Sequence, residues 1–355
     1  MDLNALLRYT VENIASDLHI SPGMPPLTRI DGSLLPIKEM PILTPSDTQA
    51  LLYSILTPEQ QTLFESRLFL EFAHVACENN FRVSVFHQMR GVGGVFRAIP
   101  SDIPSLDVLD IPLVLKQSLT ISRGLILVSG PTGSGKSTTL AAIVNYINQY
   151  RVCNIITIED PIEFVHQSKR CLINQIQIGR DTPDFATALR ASLRQDPNVI
   201  LLGELRDLET MRLALTAVET GHLVLATIHA TSAPLAINRF ADVFPQDEQN
   251  RVRTLLSETL EAVICQRLVK KKAGGRVAVF EVMTTTSAVK HYICRDMPAH
   301  MESAMQTGGE KGMMTFEVAL KRLVKNHTIT QMVADALLSE INAFSVASQA
   351  REDEK

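Results

Sequence analysis

The chain has 355 residues, 45% of them hydrophobic, which is enough for two domains with buried cores. A net charge of -4 argues against a global nucleic-acid footprint, and no apolar run is long enough to cross a bilayer. Met1-Asp2-Leu3-Asn4 lacks the basic and apolar regions of a signal peptide, and the scattered Cys77, Cys153, Cys171, Cys265 and Cys294 form no C-x-x-C pair, so a cytosolic protein with packed, reduced thiols is expected.

Leu3, Leu6, Leu7, Val11 and Ile14 recur at helical spacing, followed by a short strand at Asp17-Leu18-His19-Ile20. Leu27–Ile30 and Ser33–Leu35 flank Asp31-Gly32, the signature of a type I′ hairpin. A helical stretch runs from Pro45 to about Phe64. Phe81–Phe86 then alternates as a strand, Gly91–Gly94 reads as a turn, and Val95–Ile99 as the returning strand. This is a small α+β domain over residues 1–100. Pro100, Pro104 and Pro112 mark a linker over 101–112. Residues 113–344 follow as a second domain, whose strand candidates Leu125–Ser129, Asn154–Ile158, Val199–Leu202 and Leu223–Ile228 are continuous apolar runs suited to a parallel sheet buried on both faces. Phe185, Ala188, Leu189 and Leu193 give one helix. Val252, Leu255, Leu256, Leu260, Val263, Ile264 and Leu268 give a longer one, closed by Lys270-Lys271-Lys272 next to the negative end of its dipole; a partner-binding patch is the alternative for these lysines. Shorter helices follow, with Thr315 as a cap, and residues 345–355 read as a polar, disordered tail.

The strongest motif is Gly130-Pro131-Thr132-Gly133-Ser134-Gly135-Lys136-Ser137, a G-x-x-x-x-G-K-[ST] loop between a strand and a helix. Its glycines let backbone N–H groups close around phosphate oxygens at the positive N-terminal end of the helix-like Thr139–Val144, and Thr138 counts with the loop among the nucleotide-binding residues. Lys136 can reach the β- and γ-phosphates, and Ser137 can ligate Mg²⁺. Glu159, Asp160 and Glu163 follow the second strand at the sheet edge where open α/β sheets bind ligands, and Glu163 has the loop freedom to activate water. Glu204 ends the third strand after four apolar residues, where a carboxylate holds Mg²⁺ directly or through water. His222 and His229 bracket the fourth strand, and His229 emerges at the carboxylate edge as a candidate γ-phosphate sensor; a strand-end hydrogen bond is the alternative for either. A hairpin turn between Met89 and Arg90 would set Arg82 opposite Arg97, like charges that an anion such as the phosphates of another subunit would join; a solvated arginine face is the alternative. Arg190 and Arg194, four residues apart, line one helix face.

Taken together, Ala15-Ser16-Asp17-Leu18-His19, the phosphate loop, Ile158-Glu159-Asp160-Pro161-Ile162-Glu163, Gly203-Glu204-Leu205-Arg206-Asp207 and Thr220–His229 resemble the secretion ATPases of type IV pili and type II secretion, and within them the pilus retraction (twitching motility) branch, the PilT family. The similarity covers Asp2 to about Val324. It implies a PAS-like N-terminal domain and a RecA-like P-loop ATPase domain with a mainly parallel sheet, assembled as a homohexamer with ATP and Mg²⁺ between the two domains. It also implies that Glu163 is the catalytic base, Glu204 serves Mg²⁺, His229 senses the γ-phosphate, and Arg82 and Arg97 act as arginine fingers. Implied partners are an inner-membrane pilus platform protein and the pilus machinery at the cytoplasmic face of the bacterial inner membrane, with membrane association through partners only and no specific nucleic acid. The chain departs from the retraction branch at Ala288–Asp296, which keeps only the skeleton of the motif AIRNLIRE. Against the pilus extension ATPases stand its short N-terminus and the lack of their tetracysteine zinc insertion. Open alternatives are a related type II or type IVB secretion or pilus-assembly ATPase, a RecA-like DNA translocase, which needs a basic channel, and a regulatory subunit that binds nucleotide without hydrolysis.

Overall fold

The computed structural model describes residues 2–30, 32–99, 103–112, 116 and 119–352, with side chains as far as Ile341. The chain divides into two compact units, Met1–Ile103 with Pro161–Val165, and Pro104–Asp160 with His166–Lys355. Pro100 and residues 101–102 of the expected linker lie outside the described residues. The remainder, from Pro104, is grouped with the second unit, and Leu106 and Ile111 are buried.

The first unit starts with α1 (Leu3–Glu12), capped by the Asp2 side chain, which accepts from the Asn4 N–H. Its Leu3, Leu6 and Leu7 are buried with Leu18, Ile20, Phe81, Val83, Val85 and Phe96 of an antiparallel sheet. That sheet contains β1 (Asp17–Ile20), β2 (Leu27–Ile30), β3 (Ser33–Pro36), β4 (Phe69–Ala76), β5 (Asn79–Gln88) and β6 (Gly91–Ile99), in the order β3-β2-β1-β6-β5-β4. The pairing of Ile30 with Ser33 leaves the two-residue connection expected of the first hairpin, although Asp31 in its turn lies outside the described residues.

Three expectations are corrected in this unit. The stretch from Pro45 is two helices, α2 (Pro45–Tyr53) and α3 (Pro58–Arg67), because Thr57 and Gln60 form a second capping box that restarts the chain at Pro58. Gly91–Gly94 lie within β6 rather than in a turn, and the connection is at Met89-Arg90. Gly94 is there because α2 crosses the sheet closely: a Cβ would sit 2.4 Å from Leu52 Cδ2. Finally, β4 was not foreseen; its alternation of buried Leu70 and Phe72 with exposed neighbours is the pattern of an edge strand packed on one side.

The second unit is built on β7 (Gly124–Ser129), β8 (Asn154–Glu159), β9 (Leu172–Gln177), β10 (Val199–Leu202), β11 (Leu223–Ile228), β12 (Leu260–Lys270) and β13 (Arg276–Thr284). The order is β13-β12-β7-β11-β10-β8-β9, parallel throughout except for β13 at one edge. Every residue of β7, β10 and β11 is buried, as the apolar runs require. The helices that follow β7, β10 and β11 are α4 (Lys136–Tyr150), α6 (Leu208–Glu219) and α7 (Ala233–Asp242); α5 (Phe185–Ser192) precedes β10.

The expected long helix ends early. Helix α8 spans Gln246–Thr259, and Leu260–Lys270 is β12, which lies between β7 and β13. Leu260, Val263, Ile264 and Leu268 satisfy a helical period, but a strand buried on both faces is apolar at every spacing. Lys270, Lys271 and Lys272 therefore lie at a strand end and in the following turn, with no helix dipole to complement. Helices α9 (Ser287–Cys294), α10 (Pro298–Thr307), α11 (Phe316–Lys325) and α12 (Gln331–Glu352) complete the chain, and Thr315 caps α11 as expected. Residues 345–352, expected to be a disordered tail, continue α12; residues 353–355 lie outside the described residues. Among the described residues no helix is long and apolar enough to cross a membrane, and all five cysteines are free.

Candidate functional site

The connection from β7 to α4 is the glycine loop. Gly130, Gly133 and Gly135 all have positive φ, and Gly135 caps α4 in the left-handed region. At Gly130 a side chain has no room: a Cβ would lie 2.4 Å from the Gln266 carbonyl on β12 and 2.6 Å from Ser134 Oγ. Lys136 Nζ donates to the carbonyls of Gly130 at 2.9 Å and Pro131 at 3.0 Å, folding back over the loop. From below, Gln266 Oε1 accepts from Thr139 Oγ1 at 2.7 Å and ties α4 to β12. Ser134 Oγ is buried with no hydrogen-bond partner among the described residues. A crowded glycine, an unpaired buried hydroxyl, a lysine and a helix N-terminus are the features of a cradle that fits a phosphate.

Glu204 follows Gly203 at the end of β10. The turn is held by Leu205 N–H donating to the Thr227 carbonyl at 2.9 Å and by Thr227 Oγ1 donating to the Gly203 carbonyl. One Glu204 oxygen lies 2.7 Å from Arg206 Nη2 and the other 2.9 Å from His229 Nε2. Burial pushes this carboxyl up, but the Arg206 hydrogen bond and charge, with His229 and Lys136, together hold it below the ordinary carboxylate value. The anionic form is thus favoured. Among the described residues no three His, Cys, Asp or Glu side chains form a metal cluster. The donor set of one hydroxyl, Ser137, and one carboxylate, Glu204, fits Mg²⁺, which keeps waters and substrate oxygens as its other ligands.

Lys136, Glu204 and His229 thus come together in one unit, at the carboxyl edge of the sheet. His222 does not: it precedes β11 at the opposite edge, with Nδ1 2.8 Å from the Ala217 carbonyl and 3.1 Å from Thr220 Oγ1, so it closes the end of α6. Glu159 accepts from Thr157 Oγ1 at 2.6 Å and Gln175 Nε2 at 3.2 Å and braces β8 against β9. Glu163 falls in the segment Pro161–Val165 that is grouped with the first unit. Arg190 pairs with Glu209, while Arg194 lies beyond the end of α5 at Ser192, so the two do not share a helix face. Helix α9, which carries the divergent Ala288–Asp296 stretch, buries Val289 and Ile293.

In the first unit, Arg82 and Arg97 are register partners, as a turn at Met89-Arg90 requires. The anions that accompany them are internal. Asp17 lies across from Arg97 in β1, with Arg97 Nε 2.9 Å from its carboxylate, and Glu71 of β4 is 3.2 Å from Arg82 Nη2. Ser16 Oγ also donates to Asp17, at 2.7 Å. This accounts for the Ser16-Asp17 pair of the first motif. Nothing local in the sequence marks Ser129 or Gln266 as site residues, whereas Arg206 stands two residues after Glu204 inside the Gly203–Asp207 motif.

A mainly parallel sheet with a phosphate loop after β7, an acid after β10 and a histidine after β11 defines a P-loop ATPase domain of RecA-like architecture. Residues 1–273 match the Type II/IV secretion system protein family, and the chain belongs to it. It is 50% identical to the type IV pilus retraction ATPase PilT of Pseudomonas aeruginosa over 93% of this chain and 96% of that one. It is 44% identical to a twitching motility protein of Neisseria gonorrhoeae over 87% of this chain and 83% of that one. Among solved structures it is similar to the pilus retraction motor PilT with bound ADP, with a TM-score of 0.88 and 41% identity over 94% of this chain and 96% of that one. The Legionella pneumophila ATPase DotB gives a TM-score of 0.81 at 26% identity, covering 95% of each chain.

Proposed function

We propose that this chain is a motor ATPase that hydrolyses ATP to drive type IV pilus retraction, working as a homohexamer at the cytoplasmic face of the inner membrane through a platform protein of the pilus machinery. The observation that carries the chemistry is the meeting of Lys136, Glu204 and His229 beside the phosphate loop. The assignment to retraction is supported by the similarity to the P. aeruginosa and N. gonorrhoeae proteins over most of the chain.

In this reading the loop N–H groups and Lys136 bind and orient the β- and γ-phosphates. Ser137 and Glu204 would hold Mg²⁺, which neutralises charge on the phosphate oxygens. His229 Nε2, already aimed at Glu204, hydrogen-bonds the terminal phosphate, and Glu163 accepts a proton from the attacking water. Arg82 and Arg97 leave their carboxylate partners to stabilise the negative charge that develops in transfer. Hydrolysis and product release then drive the conformational change that does the work.

A second reading, a secretion or pilus-assembly motor, draws on the divergent α9 segment and on the breadth of the Type II/IV secretion system protein family. Deleting the gene and counting surface pili separates the two. Hyperpiliated cells, restored by wild type and not by Lys136→Ala, support retraction; bald cells refute it in favour of assembly.

A further inference from the structure

His229 lies on residues 229–232, between β11 and α7, and this segment is pinned at two points. Ser129 Oγ donates to the Ala230 carbonyl at 2.8 Å and accepts from the Ala230 N–H at 2.9 Å. Glu281 Oε1 accepts from the N–H of Ala233, the first residue of α7, at 2.8 Å. Both pins come from one row across the sheet. Ser129 of β7 pairs with Cys265 of β12, which pairs with Glu281 of β13, so the three side chains share a face. Cys265 is hydrogen-bonded to Ser129, and the Glu281 carboxylate also accepts from the N–H of Phe316, the first residue of α11. Glu281 thus sits at the positive ends of two helices.

Packing alone would place an apolar residue here. Burial pushes the Glu281 carboxyl up to about 7; the Ala233 N–H opposes this, Glu302 of α10 adds to it, and the Phe316 N–H and Arg267 of β12 oppose it. A carboxyl raised in the folded state contributes stability that is present below its ordinary value and lost as pH rises through 7, so the ionised group is a liability in alkaline conditions. Retaining it points to a role other than stability.

We propose that Glu281 is a positioning residue for His229: by anchoring the first turn of α7 it sets, together with Ser129, the reach of His229 toward Glu204 and the terminal phosphate. The proposal rests on the reading of His229 given above. Its test uses the full chain as wild type, Glu281→Gln, His229→Ala and the double variant, measuring kcat, nucleotide Kd and melting temperature at pH 8. Glu281→Gln is expected to lower kcat roughly fivefold or more, with Kd within about twofold and an unchanged or higher melting temperature. In the His229→Ala background it should cost nothing further, because the group it positions is gone. Ser129→Ala, which removes the other pin, should behave in the same way and serves if Glu281→Gln fails to fold. Wild-type kcat for Glu281→Gln, or the same fold-loss in both backgrounds, overturns the proposal while an impaired His229→Ala leaves the reading of the site intact. Wild-type kcat for His229→Ala overturns both.

Discussion

Replacing Gly130 by alanine tests how tightly the phosphate loop is specified by its neighbours. The φ of Gly130 is 147°, where a side chain is strained by about 1–3 kcal/mol. The added Cβ would also stand 2.4 Å from the Gln266 carbonyl, where ordinary contact begins at 3.4 Å. Ser134 can rotate its hydroxyl away. The Gln266 carbonyl cannot yield as easily, because it belongs to β12, paired with β7 on one side and β13 on the other. Overpacking of this kind costs a further 1–3 kcal/mol or so, giving about 2–6 kcal/mol in all if the loop stays in place. The less costly response is for the loop to move by about 1 Å, which removes N–H groups from phosphate; losing one or two charge-assisted hydrogen bonds at about 1.5–3 kcal/mol each raises Kd roughly 10-fold to over 100-fold. Titration with a fluorescent ATP analogue, alongside thermal unfolding, reads both responses. A Gly130→Ala protein with nucleotide affinity within about twofold of wild type and an unchanged melting temperature would refute the reasoning.

Two further predictions concern the first unit and pH. Arg82→Ala and Arg97→Ala should each lower kcat about tenfold or more without unfolding the protein, and activity per subunit should rise with protein concentration as rings form. Of the two, Arg97→Ala should cost more stability, because it strips the 2.9 Å partner from Asp17, whose side chain is 7% exposed, whereas Glu71 is 42% exposed; equal melting temperatures for the two variants, or wild-type turnover, would count against the assignment. Burial, with Lys169 nearby, lowers the His166 imidazole to about 4, so the folded state binds this proton more weakly than the unfolded chain does. The stability it contributes is present above about 6.5 and lost as pH falls toward 4. His166→Gln should therefore lose less stability than wild type between pH 7 and pH 5, measured as the shift in urea midpoint; parallel losses would show that His166 is not responsible.

The parallel sheet and the phosphate loop were legible because their signals are local: continuous apolar runs for β7, β10 and β11, and a loop whose lysine and serine fall at fixed spacing. Strand β12 reads as helix in the sequence because Leu260, Val263, Ile264 and Leu268 fit a helix as well as a doubly buried strand, and only the neighbouring β7 and β13 decide between them. Strand β9 was missed for the opposite reason, since Leu172–Gln177 at the sheet edge mixes polar residues into both faces. In the site, Glu204 and His229 could be found from their places after apolar strands, but Ser129 and Glu281 could not. Their roles come from pairing across β7, β12 and β13, residues far apart in the chain, and the one local hint was an acid inside the apolar Arg276–Thr284 run. The facing of Arg82 and Arg97 was readable from the turn, while the carboxylates that join them, Asp17 and Glu71, come from strands elsewhere in the sheet.

The central claim is that this chain hydrolyses ATP at the phosphate loop with Glu163 as the base, and the most direct measurement is steady-state hydrolysis of Mg-ATP by the purified full chain, with nucleotide binding measured in parallel. Wild type should turn over, Lys136→Ala should bind nucleotide weakly, and Glu163→Gln should bind as wild type does while losing roughly 100-fold in turnover. A wild-type protein that binds ATP without hydrolysing it, or a Glu163→Gln variant that retains more than about a tenth of wild-type turnover, would contradict the account.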